Sequence, residues 1–310
     1  MQSLLKQIHG WMFDTALPWW TSNGIDRANG GYVEHFDLDG RDAQAPFKRT
    51  RVTCRQIYVF SHAAQLGFTP GAELAAHGMR HLTEKAWLGT GIGFARHTTR
   101  TGEVLDPTQD LYDLAFALFA FGWYLRASGE RSALNWAHLT LDVIEAKLGH
   151  PNGEGFQHEV PATGWRQQNP HMHLIEAALS VYEASGVERF AVLANEIASL
   201  FQTKFFDSAS TTLCEFFRDD WSRAPGEHGR IIEPGHQFEW AWILVNAKRL
   251  VGIDLSTEIR SLVGFGERFG VDRETGLTYN SVNDIGVPID RGSRSWPNTE
   301  RLKAAIALYE

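Results

Sequence analysis

The residues most suited to chemistry form two copies of one local pattern, His173-x-x-Glu176 in NPHMHLIEA and His236-x-x-Glu239 in PGHQFEWAW, 63 residues apart. An i, i+3 spacing sets imidazole and carboxylate on one helix face, so each pair can act as a unit on a ligand at the helix start. Imidazole titrates near neutral pH and both takes and returns protons, and a carboxylate one turn away can orient or charge it. His236 is the stronger acid–base candidate, because Pro234-Gly235 ahead of it gives close backbone approach. A metal site made of His173, Glu176, His236 and Glu239 is a rival reading. Di-iron bundles, however, place Glu before His in the i, i+3 pair, the reverse of the order here. No metal ligand and no cofactor is assigned on this basis.

The step of about 60 residues continues on both sides of the two pairs. Moving 61 residues forward from Glu239 reaches Glu300 in RSWPNTERLKAA, and 63 back from Glu176 reaches Asp113 in DPTQDLYDLAFALF; a further step lands near Arg55 in RVTCRQIYVFSHAA. Hairpin-like segments keep the same beat, with Tyr32, Phe94, Phe156 and Phe216 spaced by 62, 62 and 60. Two unrelated kinds of residue sharing one period indicate a repeat architecture.

The elements that must position these residues follow from hydrophobic periodicity. Segments near 53–67, 110–127, 171–185, 235–251 and 296–309 are apolar almost all round, which predicts an inner ring of buried helices. Segments near 1–17, 72–86, 131–148, 188–204 and 254–268 mix apolar and charged residues at helical spacing, which predicts an outer ring with one wet face. Gly67, Gly129, Gly186 and Gly252 stand where the inner helices should stop. The expected fold is all-α, an (α/α)6-barrel toroid with short β-hairpins between helix pairs, in a single domain over residues 1–310. Six pairs at this period need roughly 370 residues, so the last part of the ring is expected to be missing from this chain.

Composition narrows the function. With 43% hydrophobic residues the chain can bury a large core, and a net charge of −8 with 29 basic residues offers no stripe for a phosphate backbone, so nucleic acid is not an expected partner. Cys54 and Cys214 show neither a disulfide framework nor zinc spacing. No run is long enough to span a bilayer, and the N-terminus lacks a signal-peptide pattern, so a cytoplasmic protein with no membrane partner is expected. Eleven tryptophans and thirteen histidines are unusually many, and His171, His173, His236, Trp240, Trp242 and Trp296 gather near the proposed site. Aromatic walls with a few fixed polar groups suit sugars, whose C–H faces stack on indoles while their hydroxyls need donors and acceptors. Arg55, Asn169, His173, Glu239 and Glu300 can supply that polar set. His62, His77, His81 and His138 are read as packing residues, and Asp110 and Asp113 as charges that favour a helix N-terminus.

Four segments in this order and at these distances, RVTCRQIYVFSHAAQLG, NPHMHLIEAALSVYEASG, PGHQFEWAWILV and RSWPNTERLKA, resemble the N-acylglucosamine 2-epimerase superfamily over essentially the whole chain. The resemblance implies an (α/α)6 barrel, and the WPNTE form is most similar to the D-mannose isomerase branch. By motif it implies that Arg55, Tyr112, Asn169, His173, Glu239, Trp296 and Glu300 contact the sugar. It makes His236 one of two acid/base histidines, the second expected beyond the WPNTE segment and past the end of this chain.

The implied activity is interconversion of an unphosphorylated aldose and ketose, of the D-mannose/D-fructose type, on a small-molecule monosaccharide. Histidine removes a proton next to the carbonyl, an enediol forms, and the proton returns at the adjacent carbon, without a metal. Glu239 can hold or charge the His236 ring, and Arg55 with His173 can stabilise the oxyanion. The alternatives are a sugar 2-epimerase, a glycoside hydrolase using carboxylates among Asp110, Asp113, Glu239 and Glu300, and a non-catalytic sugar-binding toroid. Either a monomer or a homodimer is compatible with these features.

Overall fold

The structure is a computed structural model describing residues 2–309. The chain divides into two compact units, Met1–Leu148 with Glu159–Pro161, and Gly149–His158 with Ala162–Glu310. Both repeat one plan, in which a short hairpin leads into a helix buried on nearly every side and a half-wet helix follows. The helix over Ser295–Tyr309 departs from it, because it packs on one neighbouring helix and leaves Leu302, Ile306 and Leu308 exposed although the sequence predicts a buried helix there.

In the first unit, α1 (Gln2–Gly10) runs through a stretch of wider turns, Trp11–Ala16, into α2 (Leu17–Asn23). Two helix pairs follow, α3 (Thr50–Gln65) with α4 (Gly71–His81), and α5 (Leu111–Ser128) with α6 (Ser132–Val143). The apolar segment AFALFAFGWYL becomes α5, which buries Leu114, Phe116, Leu118 and Phe121 and packs on both α3 and α6. Helix α4 instead buries Leu74, Ala75 and Met79 on one face and leaves Glu73 and Arg80 exposed.

Asp110 caps α5, its carboxylate accepting the N–H groups of Tyr112 (2.8 Å) and Asp113 (3.2 Å). Arg51 Nε donates to Asp113 Oδ1 at 2.7 Å, and Arg96 reaches both Asp110 (3.0 Å) and Glu159 (2.5 Å). These acids therefore have the structural use expected from their place at a helix start. The links also report the repeat, since Arg51–Asp113 and Arg96–Glu159 span 62 and 63 residues.

The second unit contains α7 (Asn169–Ser185), α8 (Glu188–Leu200), α9 (Pro234–Val251), α10 (Ser256–Phe269) and α11 (Ser295–Tyr309). Helix α9 is the centre of the packing, touching α7, α8, α10 and α11. Gly186 and Gly252 end α7 and α9 at φ of +68° and +76°, the left-handed stop that glycine accepts without a Cβ clash. Bridges one repeat apart recur here too, as Arg294–Glu233 and Arg223–Asp284, each 61 residues apart.

One detail differs from the periodicity. The half-wet helices α4, α6 and α8 do not run straight to their hairpins but finish in wider turns at Leu82–Ala86, Ile144–Leu148 and Phe201–Phe205. The extra residue per turn lets both ends of each stretch, such as Phe201 and Phe205, point into the core before the chain reverses. No helix among the described residues is long and apolar enough to cross a membrane.

Two helical glycines test this packing. A Cβ on Gly78 in α4 would lie 2.3 Å from the Tyr32 hydroxyl, whereas one on Gly264 in α10 meets nothing within 4 Å. Gly78→Ala should therefore destabilise by roughly 1–3 kcal/mol through overpacking, and Gly264→Ala should stabilise by about 0.5–1 kcal/mol through helix propensity. Urea melts of the two variants check the opposite signs.

A candidate acid–base site

His236 lies in the first turn of α9, 6% exposed, and its Nδ1–H donates to Glu215 Oε2 at 2.9 Å. Glu215 comes from the turn between Thr212–Leu213 and Phe216–Phe217, and the backbone holds it from several directions. Its N–H donates to the Ile231 carbonyl (3.0 Å), and its Oε1 accepts the N–H of Glu233 (3.2 Å). Gln237, the next residue on α9, accepts from Thr212 Oγ1 (2.6 Å) and donates to the Leu213 carbonyl (3.1 Å). The helix that carries the imidazole thus also fixes the strand that leads into its carboxylate.

Burial opposes charge on His236, but the charge and hydrogen bond of Glu215 outweigh it, with Glu233 and Glu239 adding to the pull. The imidazole pKa rises to about 9. The Trp296 ring lies against the imidazole at 5.1 Å between centroids, tilted 35°. A Cβ on Gly235 would fall 2.5 Å from that indole, so the close approach expected at Pro234-Gly235 is made to Trp296.

The second pair faces a cluster of acids. His173 Nδ1 stands 3.8 Å from Glu176 Oε2 and 3.7 Å from Glu239 Oε1. Burial, followed by the like charges of Glu300 and Glu176, raises the Glu239 carboxyl to about 8. Burial raises Glu300 as well, against the pull of Lys303, whose ammonium lies 2.7 Å from it and 5.2 Å from the centre of the Trp242 ring. Asn169 opens α7, and its Oδ1 is buried without a hydrogen-bond partner among the described residues.

The structure thus brings together His173, Glu176 and Glu239, links Glu300 to them through charge, and sets Trp296 on His236. Glu215, rather than Glu239, hydrogen-bonds the His236 ring, while Glu239 acts on it only through its charge. His171 and Trp240 turn into the core. The Nε2 of His171 accepts the Phe156 N–H, and burial drives its pKa down to about 3; Trp240 is fully buried against Phe201. In the first unit, Arg55 donates to the Tyr112 hydroxyl at 2.5 Å and lies over the Phe116 ring.

Sequence reasoning missed Glu215, Glu233, Gln168 and Lys303. A signal existed for Glu215, the one charge inside the apolar run LCEFF, since a charge buried among apolar residues needs a partner. Lys303 could be found as the i, i+3 partner of Glu300. Nothing in a single sequence marks Gln168.

His173, Glu176 and Glu239 each present one ligand atom, all within 4.8 Å of one another, so this set has the donors to hold a metal ion. The imidazole–carboxylate pair of His236 and Glu215 has the different chemistry of a proton carrier, with Nδ1–H held and Nε2 left to exchange.

A buried imidazole bonded to a carboxylate stands beside a cluster of buried acids at the starts of paired helices, and the relatives of the chain are sugar isomerases and epimerases, the class of enzyme to which it belongs. The family model described as N-acylglucosamine 2-epimerase (GlcNAc 2-epimerase) matches residues 30–310. A mannose-6-phosphate isomerase from Rhizobium meliloti is 37% identical over 97% of this chain and 78% of its own length. A D-mannose isomerase from Thermobifida fusca is 26% identical over 87% of this chain and 71% of its own. A crystal structure of D-mannose isomerase superposes with a TM-score of 0.86 at 22% identity, covering 96% of this chain and 78% of that one. The chain belongs to the N-acylglucosamine 2-epimerase family and has its all-α fold of helix pairs.

The raised Glu239 pKa carries a stability cost with a definite sign. Between about 4.5 and about 8 the folded protein binds a proton at this site that the unfolded chain has lost, so stability falls as pH rises through this window. Glu239→Gln removes the ionisation, so its melting temperature should exceed the parent's most at pH 9 and least at pH 5. Calorimetry at the two pH values checks this, and an equal difference at both would contradict it.

Proposed function

We propose that this protein is an aldose–ketose isomerase acting on an unphosphorylated monosaccharide of the D-mannose type, with His236 as the proton carrier. The observation that carries this reading is the buried His236–Glu215 hydrogen bond, which leaves Nε2 as the exchanging nitrogen. Relatives named mannose-6-phosphate isomerase and D-mannose isomerase support the aldose class. The crowding of Glu176, Glu239 and Glu300 around His173 favours a neutral sugar, since the same burial and negative potential that keep Glu239 protonated also oppose a phosphate dianion.

In this mechanism the neutral imidazole takes the C2 proton of the open-chain aldose on Nε2, and Glu215 stabilises the imidazolium so formed. As the C2–H bond breaks, its electrons form the C1–C2 double bond and negative charge moves onto O1. The protonated Glu239, assisted by His173, gives a proton to O1 and later takes one from O2 as the new carbonyl forms there. As it does, His236 returns its proton to C1 on the same face, the C1–C2 double-bond electrons forming the new C–H bond. One base suffices for this transfer, whereas epimerisation at C2 requires a second group on the opposite face. The free buried thiols Cys54 and Cys214 fit a reducing compartment, so we read the location as cytoplasmic.

The test is to incubate the protein with mannose, mannose 6-phosphate, glucose, N-acetylglucosamine and cellobiose, and to separate the products. Fructose from mannose is expected. Conversion of N-acetylglucosamine or cellobiose to the C2 epimer with no ketose would overturn the isomerase reading, and a preference for mannose 6-phosphate would overturn the substrate. His236→Asn should lower kcat by about 10²–10⁴ while leaving the fold intact. EDTA should leave the rate unchanged; a loss restored by a divalent metal would reassign His173, Glu176 and Glu239 as ligands.

The pH profile supplies a further check. Activity needs His236 without its Nε2 proton and Glu239 with its own, so kcat/KM should form a bell with its maximum between about 8 and about 9. A profile already flat by pH 6.5 would contradict these assignments.

A further inference from the structure

We propose that Gln168 is a positioning residue for His236, locking the imidazole's Nδ1–H onto Glu215 so that Nε2 is the nitrogen left to move protons. The kinetic half of this inference rests on the isomerase reading above; the structural half does not.

Gln168 is fully buried immediately ahead of α7, in direct reach of three groups. Trp240 Nε1–H donates to its Oε1 at 2.6 Å. Its Nε2 donates to Glu215 Oε2 at 2.8 Å, the same oxygen that accepts from His236 Nδ1 at 2.9 Å. Because two N–H groups converge on one oxygen, Gln168 Nε2 and His236 Nδ1 lie 3.3 Å apart.

The direction of every hydrogen bond in this chain follows from its fixed ends. An indole nitrogen only donates, so Gln168 must turn its carbonyl toward Trp240 and its NH2 toward Glu215. Glu215 then accepts from Gln168 and His236 on one oxygen and from the Glu233 N–H, 3.2 Å away, on the other. Three donors aimed at one carboxylate stabilise its anion. An anionic Glu215 has no proton to offer, so Nδ1 must carry the hydrogen. When the imidazolium loses a proton, it therefore leaves from Nε2.

Trp240 thus does more than fill the core between Phe201 and Phe205. It decides which way a glutamine amide points, and that amide decides which histidine nitrogen reacts. The other charges facing His236 are Glu233 just ahead of its helix, Glu239 on that helix, Arg294 bound to Glu233 at 3.0 Å, and Glu300 on α11. None of these bonds to Nδ1, so none can substitute for the lock.

Gln168→Met keeps the volume and removes both hydrogen bonds. Deprived of the Gln168 donor, the Glu215 carboxylate accepts the Nδ1–H bond more strongly, so the His236 imidazolium keeps its second proton to higher pH. The imidazole titration, read by 15N histidine NMR of the sugar-free protein with His236→Asn used for assignment, should move up by roughly one pH unit. Above that titration the neutral ring of the parent should be the single Nδ1–H tautomer, and an Nε2–H ring there would contradict the lock. In the sugar assay, kcat should fall about tenfold with KM within about twofold, and the acid limb of the pH profile should move with the NMR titration.

Trp240→Phe keeps an aromatic ring, removes the Nε1–H donor and frees the amide to flip, so it should shift the titration and kcat in the same directions by less. It carries the test if Gln168→Met does not fold. An unchanged titration in the folded variants overturns the positioning role, as does a lower kcat with an unmoved acid limb. If the parent protein isomerises no sugar, the NMR titration still decides the lock, so the two failures can be told apart.

Discussion

The structure around the site depends on one buried pair, the imidazole of His236 and the carboxylate of Glu215. Removing two such groups from water costs several kcal/mol unless each finds good partners. The neighbourhood supplies them: a backbone N–H from Glu233, an amide from Gln168, and a hairpin tied to α9 through Gln237. Removing Glu215 alone would leave a charged ring facing Gln168 with nothing to accept its proton. The pair thereby imposes a local order on residues from two helices and a hairpin.

The repeat explains why such a pair can be assembled. Each helix buried on nearly all sides begins next to a short hairpin, so helix starts and hairpin turns meet at one end of every helix pair. In the first unit this meeting place is a structural clamp, Arg51 on Asp113 and Arg96 on Asp110 and Glu159. In the second unit the same places carry His173, Glu233, His236 and Glu239, and the charges no longer balance. Glu239 and Glu300 are pushed toward their protonated forms, with Lys303 as the nearby cation. The clamp of the first unit pairs its acids with arginines, whereas here acids and imidazoles stay unbalanced, and the titrations of Glu239 and His236 move to about 8 and about 9.

Much of this was legible in the sequence. The beat of charged helix starts and aromatic hairpins located every helix pair, and the all-apolar runs separated buried helices such as α5 and α9 from half-wet ones such as α4 and α10. The wider turns at Leu82–Ala86, Ile144–Leu148 and Phe201–Phe205 were not legible, because hydrophobic spacing tolerates one extra residue in a turn without changing its apolar face. The i, i+3 rule brought His173 to Glu176, yet its contact with Glu239 on another helix depends on how α7 and α9 pack. The partner of His236 escaped for the same reason. Helical spacing pointed to Glu239 one turn along, while the hydrogen bond goes to a residue 21 positions earlier on a hairpin. Local periodicity reports which face a residue occupies, and only tertiary packing reports what stands opposite.

The claim that His236 moves a proton, rather than holding a sugar while a hydride passes, is tested most directly by the fate of the C2 hydrogen. Mannose labelled with deuterium at C2 should yield fructose that has lost a measurable share of its label to water, with the remainder at C1. The same reaction of unlabelled sugar in deuterated water should place deuterium at that carbon. Complete retention of the label, with no solvent deuterium in the product, would mean that no side chain holds the hydrogen between the two carbons, and would contradict the role assigned to His236.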